Sequence, residues 1–506
     1  MNTNVEKVKL TANILFSGIG CQERGFENSG LFDIEVLNTS DINKEAVLSY
    51  AAIHCGLTNE MVENYPDYPS REEMAKELTE INLGYEPEKD KHFDWAKLVK
   101  RKNKDLEKYW LANKLSHNLG DISKIEELPY ADLWTCSFCC QDISVAGKMK
   151  GLNPDSGTRS SLLWENIRLL KKARDNNISP KYIMFENVKN LVSKRFIDDF
   201  NNLLEVLDEL GFNSYWKVLN AKECGVPQNR ERVFVISIRK DIDKNTFYFP
   251  SPFDNGLRLK DVLEEVVDEK YYLSDDKVEK FKKNFNIESD SVTTRNADIA
   301  SCIRATYYKN GSRNICENIE NGKDYEGVVE VSPNREYKIG NVYNPKHTGG
   351  SFAGNVYDKR GLCPALSTMQ GGGRQPHVVT NATIGIDKSI NDTQMIEYAN
   401  CITAREDRGV SNRKSEGTAI MESQNDIRIR KLTPRECYVL MGLTFEDCDK
   451  AAEIGVTNTH LYKQAGNGIV TNCVELIAEH LYKAHYDNTY VCTDEKMANF
   501  MNSQSE

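Results

Sequence analysis

Short apolar runs alternate with amphipathic stretches through the first 245 residues, a pattern that predicts an α/β fold: a doubly wound, Rossmann-like sheet with helices on both faces. ANILF (12 to 16), FDIEVLN (32 to 38), ADLWTCSF (131 to 138), YIMFENV (182 to 188), YWKVLNA (215 to 221) and RVFVISI (232 to 238) are the predicted strands. WENIRLLKKARD and RFIDDFNNLLEVLDEL carry helical periodicity, the second stopped by Gly211. Residues 56 to 118 break the alternation with a charged, mostly helical insertion, expected at the periphery of the sheet, in which Ser70 and Glu73 form a capping box. From about 250 to 425 the texture changes to Gly, Asn, Ser and Thr with short strand-like pieces, which predicts a smaller, irregular, β-rich domain. Helical pattern resumes after 425. Thr433, Pro434 and Glu436 supply an N-cap, a first-turn proline and a capping-box acid, and QAGNGIVTNCVELIAEHLYKAH reads as a Gly-rich turn entering a last helix. The expected domains are 1–245, 246–425 and a return segment 426–485, with a polar, frayed tail at 486–506.

Composition narrows the class. A chain of 506 residues with 40% hydrophobic content is long enough for two or three domains and a large core. It contains no run of about 18 uncharged apolar residues, and its first residues lack a signal-peptide core, so a cytoplasmic protein without membrane contact is expected. The fourteen cysteines are scattered, which favours reduced thiols, and Cys136, Cys139 and Cys140 have no second pair nearby to complete a zinc site. No metal is expected. The net charge of −11 argues against indiscriminate nucleic-acid binding. Residues 291 to 430, however, hold 18 Lys plus Arg against 16 Asp plus Glu, a balance of +2 that leaves −13 for the remainder and is compatible with a module facing a polyanion. Within it, 298–314, 359–375 and 397–413 each place a Cys before a short apolar strand and a Gly-containing basic loop. These are either ordinary β-turns or loops that present Arg, Asn and Gln to a DNA groove; GGGR (371 to 374), with Gln370 and Arg374, is the candidate for groove contact or else a flexible hairpin turn.

Candidate chemistry clusters at the predicted strand ends. LFSGIG (15 to 20) follows a strand and precedes a helix, so Gly18 and Gly20 let the backbone approach a ligand; Glu23 stands where a dinucleotide fingerprint would have its third glycine. Asp41, past the second strand, has the placement of an acid that accepts from a ribose, or of a helix N-cap. Asp121 is suited to an adenine amino group or to capping a turn. Cys140 follows a strand end, Glu186 ends the next strand, and Arg230 and Arg232 stand two apart in QNRER, on one side of an extended segment or in surface salt bridges.

FSGIG, GDI, CCQDIS, TRSSL, ENV, QNRER, LTPRE and QAGNG together resemble, in sequence order, the motifs of the DNA cytosine-5 methyltransferase family of prokaryotic and phage restriction-modification type. The resemblance covers roughly 12–240 and 426–485, with its gap at the family's variable target-recognition region. It implies a large S-adenosylmethionine-binding domain, a small recognition domain, and a final helix returning to the large domain. The implied nucleophile is Cys140, attacking C6 of a cytosine flipped out of double-stranded DNA so that C5 can accept a methyl group. Glu186 would hold the proton at N3, Arg232 and Arg230 would fix the base and the adjacent backbone, and Arg159 would support the site. Phe16, Ser17, Gly18, Ile19, Gly20, Asp41, Ile42, Asp121, Ile122 and Asn467 would bind S-adenosylmethionine. Gln141 and Ser144 belong to a loop closing over DNA, with Gly147 as a hinge. Two positions depart from the family pattern: Cys139 stands where Pro is usual, and Gly468 where Ser is usual. The chain is expected to act as a monomer, with room for a cognate restriction endonuclease. Rival readings are a tRNA cytosine-5 methyltransferase, a non-catalytic DNA-binding relative, and an NAD-dependent oxidoreductase. The long stretch between QNRER and LTPRE favours duplex DNA, the presence of Cys140 and Glu186 favours catalysis, and a dehydrogenase leaves CCQ, ENV and QNRER unexplained.

Overall fold

A computed structural model describes residues 6–86, 90–138, 162–272, 274 and 429–491, with short strand segments between 338 and 398. The core is a six-stranded sheet built from β1 (Val8–Leu15), β2 (Phe32–Ser40), β3 (Leu133–Cys136), β4 (Tyr182–Val188), β5 (Phe212–Asn220) and β7 (Glu231–Arg239), with the two-residue β6 (Gln228–Asn229) outside it. Its order is β2-β1-β3-β4-β7-β5. The first four strands are parallel, whereas β7 runs antiparallel to both β4 and β5. This departs from a simple doubly wound sheet. The ten residues from 221 to 230 that join β5 to β7 are fewer than a parallel crossover needs, so the chain doubles back instead.

Side-chain alternation on the strands builds one core on each face. Tyr182 and Met184 of β4 and Phe234 and Ile236 of β7 enter one cluster, while Ile183, Phe185, Val233 and Val235 enter the other. Each such fully buried side chain contributes roughly 1.5–3 kcal/mol. The first face is covered by α1 (Cys21–Asn28), α2 (Lys44–His54) and the last helix; the second by α7 (Leu162–Asp175) and α8 (Ile197–Glu209).

The insertion is helical as its pattern predicts: α3 (Asn59–Asn64), α4 (Arg71–Glu80), α5 (Ala96–Val99) and α6 (Asp105–Leu115), with the Ser70–Glu73 capping box formed. Met74, Leu78, Trp95 and Leu111 carry it into the first core, and Asn118 bridges to Thr39 at the outer edge of β2. After residue 429 come α9 (Pro434–Val439), α10 (Phe445–Glu453), α11 (Asn458–Asn467) and α12 (Thr471–Tyr486), the first of them capped by Thr433 and Glu436 as expected. The QAGN residues form the last turn of α11 rather than a free glycine turn. The tail is not frayed at its start, because Tyr490 stacks on Tyr248 with ring centroids 4.4 Å apart and the Tyr248 hydroxyl donates to the Val491 carbonyl. Between 338 and 431 a four-stranded ladder joins Ile429–Lys431, His377–Val379, Asn355–Tyr357 and Lys338–Asn341 in that order. No helix among the described residues is long and apolar enough to cross a membrane.

Candidate active site

Parallel strands deliver their C-terminal ends to one edge of the sheet, and the antiparallel β7 begins there. Connections leave β1 toward β2 on one side and reach β3 on the other, the switch of direction at which open α/β sheets place their ligands. The residues around it are Phe16–Gly20 after β1, Asp41 after β2, Ser137 and Phe138 after β3, Glu186 and Asn187 at the end of β4, and Arg232 at the start of β7.

The acid is Glu186, 8% exposed. In the β4–β7 register Val188 faces Arg232 and Glu186 faces Phe234, which makes Glu186 and Arg232 diagonal neighbours on one face of the sheet. Arg232 Nε lies 3.2 Å from Glu186 Oε1. Burial raises the Glu186 carboxyl above its ordinary range, against the opposing pull of the Arg232 and Arg230 charges. The site therefore holds a carboxyl that keeps its proton more readily than a surface glutamate, next to a fixed cation.

Arg230 does something different from its neighbour. Only 2% exposed, it donates from Nη2 to the carbonyls of Gly466 at 3.2 Å and Gly468 at 2.6 Å, while its backbone amide donates to Asn220 Oδ1 at 3.0 Å. The two arginines expected to act together thus divide: Arg232 pairs with the acid, and Arg230 holds the QAGNG turn. Gln464 secures the same turn from the far side, donating to the Glu45 carbonyl at 2.8 Å and accepting from Ser49 and Tyr438. Asn467, carried on that turn, is exposed. Gly468 packs against α1, where an added Cβ would lie 3.2 Å from Cys21 Sγ and 3.3 Å from the Gln464 carbonyl oxygen, so a serine there would crowd both.

The turn after β1 is built for close approach. Phe16 holds a left-handed φ of 56°, a conformation costing roughly 1–3 kcal/mol for a bulky residue, and Gly18 has the same φ. A Cβ added at Gly18 would meet nothing within 4 Å, so the turn leaves space beside the start of α1. Asp41 stitches this turn to the next one: Oδ2 accepts from the Gly18 amide at 2.9 Å and Oδ1 from the Asn43 amide at 2.7 Å. Burial raises its pKa while those two amides lower it. The N-cap of α2 is Asn43 and not Asp41. Asp121 caps the short turn Ile122–Lys124, accepting from Ser123, and also accepts from Asn82 Nδ2 at 2.8 Å. Among the apolar candidates, Ile19 and Ile122 are buried in the two cores, whereas Phe16 and Ile42 remain half-buried; Ser17 is buried. An open glycine turn, a strained aromatic beside it and an acid behind it leave room for a ligand beside the start of α1.

Two residues without any assigned role hold the segment that leads to the thiols. Asn187 Nδ2 donates to the Phe138 carbonyl at 3.0 Å, and Gln22 Nε2 donates to Ser137 Oγ at 3.2 Å and to the Phe16 carbonyl at 3.3 Å. Gln22 thereby joins the glycine turn to the chain after β3. ENV contains Asn187 and QAGNG contains Gln464, so both residues lie within motifs named above; nothing in the sequence signals Gln22. Cys139, Cys140, Gln141, Ser144, Gly147, Arg159, Gln370 and Arg374 lie outside the described residues.

Comparison with known proteins identifies the family. The family model described as C-5 cytosine-specific DNA methylase matches residues 80–483. The type II methyltransferase M2.ScrFI of Lactococcus lactis subsp. cremoris is 32% identical over 93% of this chain and 98% of its own length. The orphan methyltransferase M.Rho11sI of Bacillus phage rho11s is 27% identical over 94% of this chain and 98% of its own, and the orphan methyltransferase M.SssI of Spiroplasma monobiae is 32% identical over 58% of this chain and 74% of its own. With its motif order, its edge-clustered acid and arginines and these matches, the chain belongs to the C-5 cytosine-specific DNA methylase family.

Proposed function

We propose that this DNA (cytosine-5-)-methyltransferase methylates C5 of a cytosine rotated out of double-stranded DNA, with Cys140 as the nucleophile and S-adenosylmethionine as the methyl donor. The observation that carries the reading is the buried Glu186–Arg232 pair at the sheet edge where the chain running into Cys140 is anchored by Asn187.

Cytosine C5 is a poor nucleophile. Addition of the Cys140 thiolate to C6 forms a carbon–sulfur bond and pushes electron density to C5 as an enamine. The change is easier when N3 is protonated, which is the work of Glu186: its burial favours the protonated carboxyl, and Arg232 fixes that carboxyl's position and reaches toward the base. After C5 has gained its methyl group, a water or hydroxide removes the C5 proton, the carbon–sulfur electrons return to sulfur, and Cys140 is released. Phe16, Ser17, Gly18, Ile19, Gly20, Asp41, Ile42, Asp121, Ile122 and Asn467 would hold S-adenosylmethionine, whose sulfonium supplies an electrophilic methyl group when bound. Arg230 is a positioning residue that keeps Asn467 in place through the Gly466 and Gly468 carbonyls. Arg159 would support the acid, while Gln141, Ser144, Gln370 and Arg374 would face DNA. Residues 1–245 with 426–485 would form the catalytic domain, and 246–425 the target-recognition domain.

The enzyme would act in the cytoplasm as a monomer. Its relatives include both type II and orphan methyltransferases, so the reading does not require a cognate restriction endonuclease. Bisulfite sequencing of a plasmid co-expressed with the protein, beside a Cys140→Ala control and in a host lacking cytosine methylation, tests it. Protection of cytosines in one short motif by the wild type alone is expected. Absence of protection by soluble wild type would contradict it.

A further inference from the structure

Behind the glycine turn lies a buried group of three polar side chains that the reaction does not use. Glu23, at the place of the missing third glycine, is 8% exposed and accepts a hydrogen bond from the Tyr50 hydroxyl. His54 Nδ1 faces the same Glu23 oxygen at 3.7 Å, and His54 Nε2 lies 3.0 Å from the Ile19 carbonyl oxygen. A carbonyl can only accept, so Nε2 carries the hydrogen and a neutral ring presents Nδ1 as a lone pair. An ionised Glu23 opposite that lone pair is repelled; a protonated one is not. Burial pushes the Glu23 carboxyl up to about 7 and the His54 ring down to about 4, so the pair is neutral at mildly acidic pH.

The same imidazole shapes the turn by contact. Gly20 has φ 81°, and a Cβ added there would lie 2.1 to 2.9 Å from the His54 ring, which fills the space that a side chain would need. Tyr50 backs the ring at a centroid distance of 4.7 Å. The charges facing the group are Arg24 and Glu27 from α1 and Asp447 and Lys450 from α10, with the Cys55 thiol at the end of α2. Arg24 is itself paired with Asp447 at 3.0 Å, so the nearest cation is already committed.

We propose that His54, backed by Glu23 and Tyr50, is the positioning residue of the Ile19–Gly20 turn, and that affinity for S-adenosylmethionine weakens when this support loses its proton. The inference rests on the reading of the turn as the methyl-donor site. His54 fixes the Ile19 carbonyl; loss of the Glu23 proton as pH rises through neutrality sets the carboxylate against Nδ1, and the ring shifts.

Isothermal titration of the full-length chain with S-adenosylhomocysteine, from about pH 6 to about pH 8.5, tests this without relying on turnover. Wild-type affinity should fall about fivefold across the range, against a smaller change in Glu23→Gln, whose amide can donate to Nδ1 at every pH. His54→Ala should bind about tenfold more weakly at every pH, and His54→Gln, which keeps an N–H near the Ile19 carbonyl, should recover most of that loss at equal thermal stability. Identical pH profiles for wild type and Glu23→Gln, or equal affinities for His54→Ala and wild type, would overturn the proposal while leaving the donor site intact. Failure of folded wild type to bind S-adenosylhomocysteine at any pH would instead overturn the donor-site reading, and this proposal with it.

Discussion

Replacing Arg230 by lysine separates two roles that the QNRER motif alone makes inseparable. The Arg230 guanidinium donates to two carbonyls, Gly466 at 3.2 Å and Gly468 at 2.6 Å, from a position only 2% exposed. A lysine ammonium at the end of a flexible stem can satisfy one of them but not both in the same geometry. A hydrogen bond from a charged donor contributes about 1.5–3 kcal/mol, so Arg230→Lys should withdraw about that much support from the turn bearing Asn467. With tenfold in affinity for each 1.4 kcal/mol, S-adenosylhomocysteine binding should weaken by about tenfold, and by no more than about 150-fold if the whole loss reaches the pocket. Arg232 touches the acid and not the turn, so Arg232→Lys should leave S-adenosylhomocysteine affinity within about twofold and lower turnover by about a hundredfold. Calorimetry for the ligand and fluorescence anisotropy for a DNA duplex measure both sides of the division. If Arg230→Lys weakens DNA binding and spares S-adenosylhomocysteine, Arg230 acts on the substrate and the assignment of it as a support for the turn is wrong.

Other consequences follow from the same contacts. Glu186 acts protonated, and its pKa is raised by burial, so turnover should be lost as pH rises through that elevated value; Glu186→Gln should cut turnover about 10²- to 10⁴-fold and remove this alkaline limb from the pH–rate profile. Glu436 accepts from Arg430 at 2.7 and 2.8 Å and from the Thr433 and Glu264 amides, with both members of the ion pair fully buried; Glu436→Gln should cost about 3–5 kcal/mol in urea unfolding. The exposed pair Lys76–Glu80 provides the contrast, where Glu80→Gln should cost less than about 1 kcal/mol. Gly468→Ser crowds Cys21 Sγ at 3.2 Å, so it should destabilise the wild type more than it destabilises Cys21→Ala, and a double-mutant cycle on thermal unfolding should show the coupling.

The parts legible in the sequence are those that local chemistry dictates. Glu186 stood out because a carboxylic acid at the end of the apolar run YIMF is hard to explain by packing, and it proves buried beside Arg232. The caps at Ser70 and Thr433 were legible because three-residue spacing alone defines them. Strand boundaries were less so. β1 starts at Val8, earlier than its pattern suggests, because the polar residues of VKLT are held by pairing with β2, and it stops at Leu15 because Phe16 turns left-handed. The antiparallel course of β7 lay in the shortness of the connection after β5, and the division of labour between Arg230 and Arg232 depends on α11, more than two hundred residues away in sequence. Gln22 gives no signal, and Gln464, although it opens QAGNG, gives none of its partners, since a buried glutamine is distinguished only by the groups that fold around it.

Methylation as proposed requires Cys140 to form a covalent bond to cytosine C6. DNA in which cytosine is replaced by 5-fluorocytosine tests it most directly, because a fluorine at C5 cannot leave as a proton and the adduct should be trapped after methyl transfer. Incubation with S-adenosylmethionine, denaturing electrophoresis and peptide mass spectrometry should find wild-type protein joined to DNA through Cys140, with no adduct in Cys140→Ala. A wild-type enzyme that methylates ordinary DNA yet gives no adduct, or an adduct through Cys139, would contradict the account.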